Sequence, residues 1–403
     1  MRPLSLLVVA TKSPWPPLDG GRLLLANTLQ GLAAAGHRLT LVAPVDPSRF
    51  DPAEVAAALR AWCAPRLVEA VPRGWISAFA RSRREGTPLS VARHALAAVR
   101  SEALAALAAG SFDAIHVEQL QALPPQPFAQ GPPLVLRAQN VESDLWGAAA
   151  RLGGGRGGWR GALLAAEARR LAAWEGQAVR RASATVALTA ADAGRLAELA
   201  GGGAPPVHVV AAPFPPTLPA GTAALFGDPP VVLLGSAGWL PNEDSAAWFE
   251  SQVWPAVRRR LPGAVLHLFG MGVDNGGARG GSAVGIVRHP APASSALAFA
   301  PRSILAVPLR IASGVRMKIL EAWARGVPVV ATPEAVSGLA AEHGRELLLA
   351  QDPGEFAESL ARLHGEPDLV RSLQAAGRAA LHRRHDPARV TAELAAVYAA
   401  VLR

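Results

Sequence analysis

Short runs of consecutive apolar residues alternate along this chain with longer stretches whose apolar positions recur every three or four residues. Strands buried on both faces lose the period-two alternation of a half-exposed sheet, so the pattern predicts parallel sheet covered by helices. In the first half the predicted strands are residues 4–10, 38–44, 66–71, 113–117, 134–138, 184–189 and 207–210, with helices at 22–35, 89–109 and 160–181 among them. The segment "AAPFPPTLPAGTAALFGDPP" (211–230), rich in proline and small residues, interrupts the pattern. Beyond it come strand 231–234, helix 244–261, strands 265–269, 284–287 and 304–309, helix 316–325 and strand 327–331.

The expected organisation is α/β throughout: a first domain at 1–212, a linker at 213–229, a second domain at 230–384 and a closing helix at 385–403. That closing segment carries Val390, Leu394, Val397 and Val401 on one helical face, which suits a helix crossing back onto the first domain. "RLGGGRGGWRG" (151–161) reads as a glycine-rich loop within the first domain.

Composition narrows the class. Half of the 403 residues are hydrophobic and 18% are charged, which places the chain among globular proteins long enough for two full cores. A single cysteine, Cys63, excludes an internal disulfide framework and fits a reducing compartment. The apolar run near the start is short and reads as a buried strand rather than a signal peptide, and no run reaches transmembrane length. A cytoplasmic protein, with or without peripheral attachment to the inner face of a membrane, is the expectation. The formal charge of +9 raises the question of nucleic acid, but aromatic residues are only 5% and the arginines are scattered. A phosphorylated substrate or an anionic membrane surface accounts for the excess equally well. Trp75, Ile76 and Phe79 beside Arg73, Arg81, Arg83 and Arg84 form a short basic amphipathic stretch, either a packed surface helix or a membrane-interface contact.

Of the 40 Lys plus Arg residues, only Lys12 and Lys318 are lysine. Both follow the ends of predicted strands, where open α/β sheets bind ligands. In "PLRIASGVRMKILEAWARGVPVV" (308–330) a strand runs into the small-residue loop Ala312-Ser313-Gly314, and the next helix opens with Arg316 and Lys318 in its first turn. Cations there oppose the helix dipole unless an anion sits with them. Gly20 and Gly21, flanked by Lys12, Asp19 and Arg22, end the loop after the first strand, where glycine lets backbone amides approach a phosphate or sugar. "IHVEQ" sets His116 and Glu118 at another strand exit, and "AQNVES" sets Gln139, Asn140 and Glu142 at a third, to line a site or to cap the next helix. Other chemistries are poorly supported. "GMG" (270–272) opens an incomplete dinucleotide fingerprint, HExxH and GxSxG are absent, and His382 and His385 of "HRRH" lack a carboxylate pair for a metal.

Four stretches together resemble family 4 glycosyltransferases: "LVVATKSPWPPLDGGRLLLANTLQGLAAAGHRLTLVAP", the pair "FDAIHVEQLQ" and "LRAQNVESDLW", "LLGSAGWLPNEDSAAWFESQVWPAVRRRLPGAVLHLFG", and "VPLRIASGVRMKILEAWARGVPVVAT". The resemblance spans nearly the whole chain, and the last stretch is its most diagnostic part. It implies a GT-B fold, two Rossmann-like parallel-sheet domains facing a central cleft. It further implies a nucleotide-sugar donor as substrate, no cofactor, no metal, and transfer of a hexosyl unit with retention to a glycan or glycolipid acceptor.

The resemblance also distributes roles. It implies donor binding by Gly20, Gly21, Ser313, Gly314, Val315 and Glu321, with Glu321 on the ribose hydroxyls. Arg316 and Lys318 are implied catalytic cations on the leaving diphosphate, because "GSAGWLPNEDS" lacks the Arg and Lys that relatives carry there. Ser313 stands where relatives have the first of two glutamates. Glu118 stands where many relatives have a histidine and is the expected acceptor base. Lys12, Asp19, Arg22, Gln139, Asn140 and Glu142 are the expected acceptor-binding set. Two rivals stay open: another GT-B nucleotide-sugar enzyme such as an epimerase, and a non-catalytic nucleotide-sugar-binding homologue.

Overall fold

The computed structural model describes residues 2–123, 131–154, 159–222, 224–271, 273–274, 277–278, 284–292 and 294–403. These residues fall into two compact units. The first comprises Met1–Pro17, Gly21–Pro213 and Pro387–Arg403, the second Leu18–Gly20 and Phe214–Asp386.

The first unit is built on strands β1 (Ser5–Ala10), β2 (Arg38–Val45), β3 (Ala64–Glu69), β4 (Ala114–Glu118), β5 (Leu134–Ala138), β6 (Ala184–Ala187) and β7 (Val207–Val209). They pair in parallel in the order β3-β2-β1-β4-β5-β6-β7, a doubly wound sheet whose order reverses between β1 and β4. Its helices are α1 (Gly20–Ala34), α2 (Pro52–Leu59), α3 (Trp75–Glu85), α4 (Leu89–His94), α5 (Ala97–Ala109), α6 (Glu142–Gly154), α7 (Trp159–Arg181) and α8 (Ala190–Ala200). Alternate residues of β1 enter two cores. Leu6, Val8 and Ala10 pack with Leu25 and Leu29 of α1, whereas Leu7 and Val9 pack with Val99 and Ala103 of α5. Burial on both faces is why β1 reads as an unbroken apolar run.

The second unit contains β8 (Pro230–Leu234), β9 (Val265–Phe269), the two-residue strands β10 (Val273–Asp274) and β11 (Gly277–Ala278), then β12 (Ile286–His289), β13 (Ile304–Val307), β14 (Val329–Ala331) and β15 (Leu348–Leu349). Six of them form a second parallel sheet in the order β12-β9-β8-β13-β14-β15, reversing between β8 and β13. Its helices are α9 (Leu240–Trp248), α10 (Trp254–Arg260), α11 (Met317–Arg325), α12 (Pro333–Val336), α13 (Pro353–Gly365) and α14 (Pro367–Arg384). The last helix, α15 (Pro387–Val401), belongs to the first unit, where Val390, Leu394, Val397 and Tyr398 join the core of β1 and α1.

The largest departures from the expected elements fall at three places. The single helix at 89–109 is two helices, because the Arg73 guanidinium takes the Ala92 and Ala95 carbonyls at 3.3 and 3.0 Å and draws the backbone out of helical geometry. The helix at 244–261 begins earlier, at Leu240, and widens into a π-helical turn over Phe249–Val253 before Pro255, which has no N–H to give the preceding turn. In the glycine-rich stretch, residues 151–154 finish α6 and Trp159 opens α7; residues 155–158 lie outside the described residues. Gly272 of the "GMG" run also lies outside them. The proline-rich segment is packed rather than loose: Phe214 is fully buried and Leu218 N donates to Ala324 O at 3.0 Å within the second unit.

A buried ionic network ties β4, β5, α1 and α15 together. Arg137 Nη2 meets Glu118 Oε2 at 2.5 Å, Arg137 Nη1 donates to Thr28 Oγ1 at 2.7 Å, and Gln139 Nε2 donates to Glu118 Oε1 at 2.7 Å. Burial holds His116 neutral by pushing its pKa down. Its Nε2, 3.0 Å from a carboxylate that only accepts, therefore carries the proton, and Nδ1 accepts from the Tyr398 hydroxyl at 2.7 Å. Burial alone would raise the Glu118 carboxyl, but Arg137 and His116 reverse this and bring it to about 2.

Arg137→Met should cost about 3–5 kcal/mol in urea unfolding, because the Glu118 carboxylate stays buried without its partner. Tyr398→Phe should cost only about 1 kcal/mol. Since the folded Glu118 pKa lies below the ordinary 4.5, its stabilising contribution is complete above 4.5 and lost as pH falls towards 2. Arg137→Met should abolish that acid-limb dependence.

Candidate functional site

In each unit the polar side chains gather where the strand order reverses, at the carboxyl ends of the sheet, the position at which doubly wound sheets hold ligands.

In the first unit the loops after β1, β4 and β5 bring Thr11, Lys12, Gln119, Gln139, Asn140 and Glu142 together. Thr11 Oγ1 donates to Gln119 Oε1, and Gln119 Nε2 donates to Gln139 Oε1 at 2.8 Å. Gln119 holds φ at 73°, a conformation costing a non-glycine residue about 1–3 kcal/mol and found mainly where a site requires it. Gly21 faces this relay. A Cβ placed there would stand 2.8 Å from Gln139 Oε1 and 3.3 Å from both Gln119 Nε2 and Lys12 Nζ, so only glycine leaves the cluster undisturbed. His94, at the end of α4, is driven down to about 4 by burial, helped by the charges of Arg93 and Lys12, and is neutral at physiological pH. Burial raises the Glu142 carboxyl, against hydrogen bonds from Gln121 and Asn140 and the charge of Lys12. Beneath it Glu175 of α7 caps α6, accepting from Glu142 N at 2.6 Å and Ser143 N at 3.3 Å, and burial pushes its pKa up to about 7. Arg22 turns to the adjacent loop, donating to Ser13 O at 2.7 Å, and Asp19 precedes α1.

The expected role of Glu118 as acceptor base needs correction. Its carboxylate is 2% exposed, is held by Arg137, His116 and Gln139, and has a pKa far too low to take a proton near neutrality. It is a structural anion. Gln119, His94 and Glu175 are the residues that sequence reasoning missed. A positive-φ glutamine leaves no signal in a linear pattern, and His94 and Glu175 reach the site from distant helices.

In the second unit the loop from β13 to α11 carries the diagnostic segment. Arg310 anchors it with a paired contact to Asp244, Nε to Oδ2 at 3.0 Å and Nη2 to Oδ1 at 2.5 Å. Gly314 takes φ 72°, the left-handed turn that sends the chain into α11. The helix starts at Met317, so Arg316 is its N-cap residue rather than part of its first turn, and its side chain makes no capping hydrogen bond. Lys318 Nζ donates to the carbonyl of Leu234 at the end of β8, across the point where the strand order reverses. Desolvation, with Arg316 nearby, lowers its pKa to about 7. A pocket beside it is lined by Leu234, Asn242, Ser245, Met271, Pro308 and Lys318. Ser313 is buried in the loop and Val315 follows Gly314 into the helix. Glu321 is buried one turn further on, where its Oε1 accepts from Ser295 Oγ at 2.5 Å and Arg325 Nε at 2.9 Å. Among the described residues no three His, Cys, Asp or Glu side chains are grouped to hold a metal, and no helix is long and apolar enough to cross a membrane.

Residues 20–213 match the family model described as glycosyl transferase 4-like domain, and residues 229–366 match that described as glycosyl transferases group 1. Among solved structures, Anabaena HepE in complex with UDP-glucose is 15% identical, aligned over 98% of this chain and 100% of that one, with a TM-score of 0.65. Sucrose-phosphate synthase from Thermosynechococcus elongatus is 15% identical over 99% of both chains, with a TM-score of 0.69. The N-terminal domain of Candida albicans trehalose-6-phosphate phosphatase is 10% identical over 98% and 96%, with a TM-score of 0.63. No curated protein sequence matches the chain. At these identities the structural likeness is one of fold, two Rossmann-like parallel-sheet domains.

Glu175 offers a direct test of the first cluster. Its folded pKa lies above the ordinary 4.5, so its contribution to stability is complete below 4.5 and lost as pH rises through about 7. Glu175→Gln, which imitates the protonated acid, should remove that loss, a difference of at most ~3 kcal/mol between pH 5 and pH 8. Thermal unfolding across this range checks it.

Proposed function

Because the chain belongs to the glycosyltransferases of the group 1 and 4-like type, with the GT-B fold, we propose that it moves a hexosyl unit from a nucleotide sugar to a glycan or glycolipid acceptor, with retention and without a metal. The observation that carries this reading is Lys318. An ammonium lowered to a pKa of about 7, beside Arg316 at the N-terminus of α11, is poorly solvated until an anion arrives. A donor diphosphate supplies that anion, and the helix amides after Gly314 add donors.

The same geometry favours the transition state. As the anomeric bond breaks, negative charge grows on the leaving diphosphate, and fixed cations gain more there than in the ground state. Arg316 and Lys318 thus provide the charge that a divalent ion would otherwise supply. Glu321, held through Oε1 by Ser295 and Arg325, would present Oε2 to the ribose diol. Ser313, with Gly314 and Val315, would offer a hydroxyl and amides to the donor. In the first unit, the amides of Gln119, Gln139 and Asn140, with Lys12 and Glu142, suit a hydroxyl-rich acceptor. HepE, solved with UDP-glucose, supports a uridine nucleotide as the first donor to try.

Donor binding should follow the Lys318 proton. The diphosphate of UDP-glucose stays fully ionised across pH 6–9, so affinity should fall as pH rises above about 7, by up to about tenfold per unit. Lys318→Arg keeps its charge and should flatten the profile in calorimetric titration. Lys318→Ala should bring donor affinity down to about the wild-type level at high pH and lower kcat by a further factor of about 10²–10³. Arg316→Ala should act in the same direction, non-additively, whereas Glu321→Gln should mainly raise KM. Wild-type turnover in Lys318→Ala would refute the phosphate role, and donor binding without transfer to any glycan or lipid-extract acceptor would leave a binding protein. Proton NMR of the product's anomeric coupling tests retention.

A further inference from the structure

Helix α3 is built inside out. Its buried side carries only the small Ala78 and Ser82, while Trp75, Ile76 and Phe79 are 56%, 89% and 54% exposed and share one face with Arg83. Val71, just before it, is also exposed. The face is not a loose loop. Arg73 N donates to Arg93 O at 3.1 Å, Arg81 Nη1 to Ala95 O at 2.5 Å, and Ser82 Oγ to Thr87 O at 2.7 Å. Arg170 of α7 holds Thr87 O at 2.7 Å and Ser82 Oγ at 3.1 Å. A rigid α3–α4 hairpin therefore displays three large apolar side chains that contribute nothing to the core.

Charge identifies what covers them. Arg93 lies over the Trp75 ring at 4.3 Å and Arg83 over the Phe79 ring at 5.2 Å, while Arg84 is exposed nearby. The one acid on α3, Glu85, is paired with Arg81 at 2.7 Å and more loosely with Arg84 at 3.4 Å, where the Arg84 side chain stays 78% exposed. A second copy of the chain would set these arginines against one another. An anionic bilayer offers hydrocarbon to the apolar tips and phosphates to the guanidinium groups stacked on their rings. We propose that the α3–α4 hairpin docks this protein on an anionic membrane surface, with Trp75, Ile76 and Phe79 entering the interface and Arg83, Arg84 and Arg93 holding headgroup phosphates. Because α4 ends at His94, which feels the charge of Lys12, docking sets the first-unit cluster at a fixed position relative to the lipid. Arg81 takes no part, since its guanidinium is used within the hairpin.

The test is flotation of the full chain with phosphatidylcholine vesicles, with and without phosphatidylglycerol, and no sugar substrate. Binding should require phosphatidylglycerol and weaken as salt is raised. Arg83→Gln and Arg84→Gln should each weaken it about fivefold. Ile76→Ser with Phe79→Ser should weaken it at least about tenfold, and the single Ile76→Asp should act likewise, with thermal midpoints unchanged because these side chains face solvent. Absence of wild-type binding, or equal binding by a folded Ile76→Asp variant, overturns the proposal. So does a wild-type dimer in sedimentation velocity that Ile76→Asp converts to monomer, which would make the face an interface between copies. None of these readouts depends on sugar transfer.

Discussion

Parallel pairing of the strands in both main sheets is the constraint from which the sites follow. A parallel sheet delivers the carboxyl ends of its strands to one edge, and where the strand order reverses the loops diverge and leave a crevice. In the first unit this lies between β1 and β4, in the second between β8 and β13. The residues at those edges sit far apart in sequence: Lys12 with Gln139 and Glu142, Leu234 with Lys318. No local motif assembles them; the winding does. Small residues then decide how closely the loops approach, as Gly21 does against Gln139 and Gly314 does through its left-handed turn.

The charges enclosed at these edges divide into two kinds. Glu118 has its counter-charge built in: Arg137 reaches it in a paired geometry, and the result is a carboxylate more acidic than in water despite complete burial. Lys318 has a carbonyl dipole from Leu234 and a like charge in Arg316, and is correspondingly less basic. A completed pair belongs to the architecture and gains little from a ligand. A cation desolvated without an opposite charge is raised in free energy until one is supplied, which gives an incoming anion a larger difference to relieve. By this reasoning Lys318 leaves the edge of the second sheet receptive to an anion, whereas the Glu118–Arg137 pair belongs to the scaffold.

Much of the fold was legible because it depends on local pattern. The strands at 134–138 and 265–269 coincide with the sequence pattern to the residue, since double burial writes a continuous apolar run. What escaped depends on tertiary contact. The break at Ala95 follows from arginines of another segment taking helix carbonyls, and nothing in "LSVARHALAAVRSEALAALAA" announces it. Pro255 is the local mark of the π-helical turn, since it has no N–H to give the preceding turn. At the site, Arg316 and Lys318 were visible through their position after a strand and the rarity of lysine. His94, Gln119 and Glu175 were not, because their relevance lies in distances across the sheet rather than in spacing along the chain.

Glu118 shows how a residue can matter at a site without acting in the chemistry. As a carboxylate it can only accept, so Gln139 must turn its amide N–H towards it and its carbonyl towards Gln119. Gln119 must then present its carbonyl to the Thr11 hydroxyl. One buried charge thereby sets the polarity of two amides and a hydroxyl in succession, and the strained backbone of Gln119 is held by the bonds that result. The donor and acceptor directions of these groups are thereby fixed before any ligand arrives. A hydroxyl-rich molecule meeting such groups loses little entropy in ordering them, which is the advantage of preorganisation. A histidine, neutral or charged, has a ring N–H and would not impose this order as a pure acceptor does. The sequence position that resembles a cleft residue of relatives is, in this chain, the anchor from which the polar lining takes its direction.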